Sequence, residues 1–186
     1  MKDALFFSEN HTVQIAPAPL DQLIHKVAAL AETKLKRRQV RADLPEYPLT
    51  IVEMDSVLVQ RCLGNILSNA IDASAIGTSV RIDLQRLATT GSGREWVRVS
   101  IVDAGEGITR ENLQRLTSAY FTTKETGDEN RGFGLGLAIC RKIIHQHGGN
   151  LNIVSTEKLG TTVTVDLPMH HVPPSPPQAI PLEEEI

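Results

Sequence analysis

Three groups of residues in this chain combine side-chain type and spacing in ways that suit chemistry. The first is Gly132-x-Gly134-x-Gly136, where a polar run ending at Arg131 passes into an apolar-periodic segment beginning at Leu137. Glycines at alternate positions free the backbone and let a ligand approach the main chain closely. The first N–H groups of the following helix lack intrahelical partners and carry the positive end of its dipole, so the natural occupant is an anion, phosphate above all. Glycines at loop-to-helix junctions also serve as packing devices. The second group is Asp103-x-Gly105-x-Gly107, a carboxylate that follows the alternating run Val97, Val99, Ile101. At a strand end such an Asp either caps a turn or presents an acceptor to a ligand. The third lies on a helix from about Ser56 to Ser74, where Arg61, Asn65, Ser68, Asn69 and Asp72 fall within about 60° of Asn65, opposite the apolar side, at 100° per residue. Asn is a poor helix former and solvent stripes favour Lys, Glu and Gln, so the composition argues against an ordinary solvent face.

The elements that must position these groups follow from periodicity. Leu20, Leu23, Ile24, Val27, Leu30 and Ala31 trace an amphipathic helix. Residues 39–44 and 49–53 read as short strands split by Pro45 and Pro48. Asp55 or Ser56 caps the next helix and Gly77 closes it; its apolar side is Leu58, Cys62, Leu63, Ile66, Leu67 and Ala70. Residues 80–87 and 96–102 alternate as a hairpin around a turn-rich connection, and Thr109 caps a short helix. Residues 117–131 have no period and many polar residues, as in a mobile loop of about 15 residues, a length usually functional or disordered. After the glycine-led helix, Leu151 and Ile153 mark a strand, and Val163, Val165 and Leu167 its return. The tail from residue 169 is proline-rich and acidic, an extended tail or linker.

With 186 residues and 41% hydrophobic content, the chain can bury one core, a single domain of about 150 residues plus tails. A net charge of −3 gives no overall attraction to nucleic acid or anionic membrane, and the cluster Lys34, Lys36, Arg37, Arg38, Arg41 reads as a solvated helix end. Cys62 and Cys140 read as buried free thiols, as in a reducing cytosol. No apolar run long enough to span a membrane and no signal-peptide core is visible, so a cytoplasmic location without membrane contact by this segment is expected. The long polar loop before the glycines, in place of a strand, excludes the dinucleotide-binding reading, and the absence of a Gly-Lys-Ser/Thr ending excludes a P-loop.

Taken in order, Asn65-x-x-x-Asn69, Asp103-x-Gly105-x-Gly107, Gly132-x-Gly134-x-Gly136 and Gly160-Thr161 resemble the N box and three G boxes of the GHKL ATP-binding superfamily, most closely those of bacterial two-component sensor histidine kinases. Tyr120-Phe121-Thr122-Thr123-Lys124 resembles the family's F box, and His147-Gly148-Gly149 its usual helix ending. The resemblance covers residues 20–168, taken as the ATP-binding kinase domain. Residues 1–19, with ALFFS, resemble the end of a dimerisation helix and a linker, and residues 169–186 are left as tail. It implies an α/β fold, a two-layer sandwich of the Bergerat type with a mixed, mostly antiparallel sheet on about three helices.

The resemblance also implies roles. Asp103 would accept the adenine amine, with Gly105, Gly107, Ile108 and Thr161 around the base. Asn69 would hold Mg²⁺ with Asn65 beside it; Asn65, Asn69 and Lys124 would form the catalytic set. Tyr120, Phe121, Thr122, Thr123, Lys124, Arg131, Gly132, Gly134, Leu135, Gly136 and Leu137 would surround the ATP phosphates as lid and helix start, and Asp72 would lie against the nucleotide. ATPase members of the superfamily carry Glu at the position of Asn65, and an amide cannot act as a base. General-base catalysis is worth about 10²- to 10⁴-fold, so slow hydrolysis and transfer to a protein are expected. None of His11, His25, His145, His147, His170 and His171 has the context of the family's phosphoacceptor, which would lie on a dimerisation domain absent from this chain. The expected partners are that domain and a response regulator receiver domain, with no nucleic acid. The chain departs from the family at Asp72, where many sensor kinases have a basic residue, and at Ala104 and Glu106. A nucleotide-binding regulatory module without transfer and an anti-sigma-type serine kinase share these motifs.

Overall fold

A computed structural model of the chain describes residues 13–87, 93–115 and 136–171. Five strands form a mixed sheet in the order β2 (Arg41–Asp43), β4 (Ser79–Leu87), β5 (Trp96–Asp103), β7 (Gly160–Pro168), β6 (Asn150–Thr156). Only β2 and β4 run parallel; the other neighbours are antiparallel. Alternation dictates the two faces. Val97, Val99 and Ile101 of β5 and Val163, Val165 and Leu167 of β7 are buried on the inner face, while Arg98 and Asp166 meet on the outer one in a bidentate pair with contacts of 2.6 and 2.7 Å. This is the expected two-layer α/β arrangement with a mostly antiparallel sheet.

The helices are α1 (Leu20–Leu30), α2 (Glu32–Arg38), α3 (Ser56–Ala73), α4 (Arg110–Arg115) and α5 (Gly136–Gln146). The central one is α3, packed against both α1 and α5, with Leu63, Ile66, Leu67 and Ile71 fully buried in the core. Asp55 caps it, Oδ1 accepting from the N–H groups of Val57 and Leu58 at 3.1 Å each. The helix stops at Ser74, and Gly77 (φ 85°) sits in the turn beyond it, not at its end. The basic-ended helix read from the sequence is two helices, broken at Ala31.

Two boundaries differ from the sequence reading. Ala16–Pro19, expected as linker, is strand β1, paired antiparallel with β3 (Ile51–Met54) in a separate two-stranded sheet. Having a single partner strand lets β1 tolerate Pro17 and Pro19, which cannot donate to a ladder. At the other end, Met169 is buried, donates to the Glu95 carbonyl at 2.9 Å and accepts from Glu53 N–H at 2.9 Å, so the packed unit runs past Pro168. Cys62 and Cys140, distant in sequence, meet between α3 and α5, where the Cys140 thiol donates to the Cys62 carbonyl at 3.5 Å. A separate side-chain hydrogen bond with the Cys140 thiol, together with burial, holds the Cys62 thiol well above the usual range. Among the described residues no helix is long and apolar enough to cross a membrane.

His147 ties the end of α5 to the start of α3. Its Nδ1 donates to the Ile143 carbonyl at 2.7 Å, and Nε2 accepts the Asp55 N–H at 3.0 Å. This tautomer requires a neutral ring, and burial pushes its pKa below the usual 6.5. An unfolded chain therefore binds the proton more readily than the folded one, and stability must decline as pH falls below about 6.5. Thermal melts across pH 7.5 to 5 should show a falling midpoint. His147→Leu should weaken that slope while lowering the midpoint at pH 7.5, because the Asp55 N–H loses its acceptor, worth about 1–3 kcal/mol. An unchanged slope would remove His147 from the cause.

Candidate functional site

The apolar inner face of the sheet ends in a polar row. On β5 the sequence Val97, Val99, Ile101 is followed by Asp103; on β7 Val163 is preceded by Thr161; on β6 Leu151 and Ile153 are followed by Ser155. The register sets Asp103 opposite Thr161 and Thr161 opposite Ser155, so three hydrogen-bonding side chains cross three adjacent strands. Asp103 is only 6% exposed. Its Oδ1 accepts from Gly105 N–H at 2.9 Å and Thr161 N–H at 3.2 Å, whereas Oδ2 has no hydrogen bond among the described residues. Burial pushes the carboxyl above the usual carboxylate range, and the two N–H donors partly offset this.

The loop after Asp103 is shaped by close approach. A Cβ on Gly105 would collide with the Ala73 carbonyl oxygen at the end of α3. Gly107 has φ +66°, and a Cβ there would collide with the Thr156 carbonyl. Lys158 N–H donates to the Glu106 carbonyl at 2.6 Å and Ile108 N–H to Ser155 Oγ at 2.9 Å, fastening the loop to the β6–β7 turn. Thr109 caps α4 as expected, its Oγ1 accepting from Asn112 N–H at 3.3 Å.

The polar stripe of α3 begins where this loop touches Ala73 and divides lengthwise. Asn65 is half-buried and Asn69 exposed, and neither side-chain amide makes a hydrogen bond among the described residues. Ser68 and Asp72, on the same stripe, are held by α2. Lys34 Nζ lies 2.8 Å from the Asp72 carboxylate and donates to the Ser68 carbonyl at 2.9 Å, and Arg38 donates to the Asp72 carbonyl at 2.8 Å. Lys34 and Arg38 are thus not part of a freely solvated helix end; Lys36, paired with Glu32 one turn away, fits that description. Gly136 opens α5, with clear space where its Cβ would lie. Leu137, the second residue of α5, packs its side chain against the core. Among the described residues no three His, Cys, Asp or Glu side chains form a metal cluster.

The fold therefore brings together Asp103, Gly105, Gly107, Ile108 and Thr161 at one pole, with Ala73 against Gly105 and Asp72, Asn69 and Asn65 successively farther along α3. Tyr120, Phe121, Thr122, Thr123, Lys124, Arg131, Gly132, Gly134 and Leu135 lie outside the described residues. Sequence reasoning missed Ser155 and Lys34. Ser155 was reachable by continuing the alternation Leu151, Ile153; Lys34 carried no signal, because its partner lies 38 positions away.

Residues 54–171 match the family model described as histidine kinase-, DNA gyrase B-, and HSP90-like ATPase. The chain is similar to the adaptive-response sensory kinase SasA of Synechococcus sp. strain CC9902, 34% identical over 131 residues, which are 70% of this chain and 33% of that protein. It spans about a third of the length of that curated relative. Among solved structures, the catalytic domain of the histidine kinase ThkA superposes with a TM-score of 0.71 at 30% identity, covering 84% of this chain and 97% of that one. ThkA in complex with the response regulator protein TrrA gives a TM-score of 0.71 at 27% identity, covering 90% of this chain and 46% of the other.

The close approaches make the glycines unequal. Gly107→Ala forces a side chain into left-handed backbone and onto the Thr156 carbonyl, and should cost about 1–3 kcal/mol. Gly64→Ala, inside α3 with open space around the new methyl, should gain about 0.5–1 kcal/mol. Urea unfolding midpoints should move in opposite directions; a neutral Gly107→Ala would show that the loop tolerates a Cβ.

Proposed function

The chain belongs to the histidine kinase-, DNA gyrase B-, and HSP90-like ATPase family, and from that premise we propose that it binds Mg-ATP and transfers the γ-phosphoryl group to a histidine on a dimerisation domain outside this chain, as a step of two-component signalling. The observation that carries the reading is the Asp103 carboxylate, buried at the end of the sheet with one oxygen satisfied by backbone and the other left for a ligand. An acceptor of this kind matches the exocyclic amine of adenine. A hydrogen bond to a charged group is worth about 1.5–3 kcal/mol, hence roughly 10- to 150-fold in affinity.

The phosphate end of the reading rests on Asn65 and Asn69, one helical turn apart, whose amides make no hydrogen bond among the described residues. Neutral oxygen donors of this kind suit Mg²⁺, a hard cation that keeps its waters and draws its remaining ligands from phosphate. The metal would neutralise phosphate charge; the two amides would orient it. Lys34 screens the Asp72 carboxylate, which would otherwise repel an anion along this stripe. The N–H groups at the start of α5, as those of any helix start, suit the phosphates themselves. Neither Asn65 nor Asn69 can act as a base toward water, which favours transfer over hydrolysis. By the sequence resemblance, Lys124, Arg131 and the glycines before α5 would surround the ATP phosphates. The complex of the similar ThkA with a response regulator supports a receiver domain as the downstream partner.

The decisive experiment supplies the chain with γ-labelled ATP and a purified sensor-kinase dimerisation domain carrying its histidine. Acid-labile label on that histidine is expected. Tight ATP binding with no transfer would leave a regulatory nucleotide-binding module, and acid-stable label on a serine would point to a serine kinase.

Asp103→Asn should lower adenine nucleotide affinity by roughly 10- to 150-fold, since the amide presents a donor where the amine needs an acceptor. Stability should hold or rise, because the amide oxygen still accepts from Gly105 and Thr161 while a buried charge is removed. Binding by the unmodified chain should weaken as pH falls through the pKa of Asp103. That loss should begin at a higher pH than an ordinary aspartate near 3.8 would give, because burial raises the group. Calorimetric titration of both proteins with ADP checks each point; unchanged affinity in the variant would remove Asp103 from base recognition.

A further inference from the structure

From the hydrogen-bond bookkeeping at the end of the polar row, we infer that Ser155 is a specificity-determining positioning residue that locks the Thr161 hydroxyl as an acceptor toward the base, so that the pocket selects a 6-amino over a 6-oxo purine. Ser155 Oγ makes three contacts: to the Gly160 carbonyl at 2.9 Å, to Ile108 N–H at 2.9 Å and to Thr161 Oγ1 at 2.8 Å. A hydroxyl has one hydrogen and two acceptor lone pairs. A carbonyl cannot donate, so the Ser155 hydrogen goes to Gly160. The amide of Ile108 can only donate, so it takes one lone pair. The remaining contact is therefore one in which Thr161 donates its only hydroxyl hydrogen to Ser155.

Thr161 Oγ1 is left with lone pairs alone. It stands on β7 opposite Asp103 of β5, on the same inner face, and Asp103 Oδ2 is itself an unengaged acceptor. Two neighbouring acceptors fit an exocyclic amine, directly or through a water, because an amine carries two N–H donors. A 6-oxo group is an acceptor and fits neither. Without Ser155, the Thr161 hydroxyl could rotate and offer its hydrogen to an oxo group, so discrimination would rest on Asp103 alone. Ser155 touches no base in this scheme; it acts through Thr161.

This inference rests on the adenine-nucleotide reading, and the test separates the two. The full chain is titrated with ADP and with IDP, its 6-oxo counterpart, in the presence of Mg²⁺, and the ratio of dissociation constants is read. Ser155→Ala should shrink the ADP preference by about three- to tenfold, the scale of one neutral hydrogen bond, chiefly by improving IDP. Ser155→Thr, which keeps the hydroxyl, should restore the preference. If Ser155→Ala unfolds, Thr161→Val, isosteric and without an oxygen, should shrink the ratio in its place. An unchanged ratio, or equal losses for both nucleotides, would assign Ser155 a purely structural role and overturn the inference while leaving nucleotide binding intact. If the unmodified chain binds neither nucleotide, the adenine reading itself falls, and this inference with it.

Discussion

A carboxylate buried at the end of an apolar sheet face imposes the conditions that the surrounding structure meets. Asp103 is desolvated, and an ionised group in that position needs hydrogen bonds to persist. Two backbone N–H groups supply them, and each demand propagates outward. For Gly105 N–H to reach Oδ1, the chain must turn at once, so tightly that residue 105 rests on the Ala73 carbonyl and cannot carry a Cβ. For Thr161 N–H to reach it, β7 must begin beside the end of β5, which brings the Thr161 side chain into the same row. Among the described residues only one carboxylate oxygen is used in this way, so the structural role of Asp103 leaves the other oxygen for the proposed ligand.

The second organising element is α3, 18 residues long, about 27 Å at 1.5 Å per residue. Its last residue touches the Asp103 loop, its middle carries the two open amides, and its first turn is capped by Asp55, whose own N–H is held by His147 at the end of α5. One rigid rod therefore fixes the spacing between the Asp103 loop and the two asparagines, and α5 is registered against that rod at the end remote from Gly136. The same helix is cross-braced by Lys34, which turns Asp72 from a repulsive charge into part of a neutral pair. The Asp that departs from the family's basic residue is thus matched by a cation from α2, a compensation between two helices.

Much of this was legible in the sequence because periodicity is a local property. The alternations of β5 and β7 and the 3.6-residue pattern of α3 assigned the inner and outer faces correctly, and with them the direction in which Asp103, Asn65 and Asn69 point. What failed was non-local. Pro17 and Pro19 argue for linker by their local chemistry, and only the presence of β3 as a partner makes Ala16–Pro19 a strand. Lys34 lies in a basic run that resembles any solvated helix end until α2 is folded onto α3. Ser155 was hidden differently: its position on the inner face could be read, but the direction of its hydrogen bonds depends on three groups that come together only in the folded sheet.

That last case has a general physical content. A serine beside a turn is ordinarily neutral because its hydroxyl can donate or accept as the neighbours require. Here the freedom is removed by one group that can only accept and one that can only donate, and the constraint passes through Thr161 to the pocket. The polarity of the pocket edge is therefore set by main-chain groups of Gly160 and Ile108, in the two loops that Gly105 and Gly107 bring together. In the proposed reading, recognition of a base and the folding of those loops draw on the same set of hydrogen bonds, so the row that closes the hydrophobic core would also form the floor of the site.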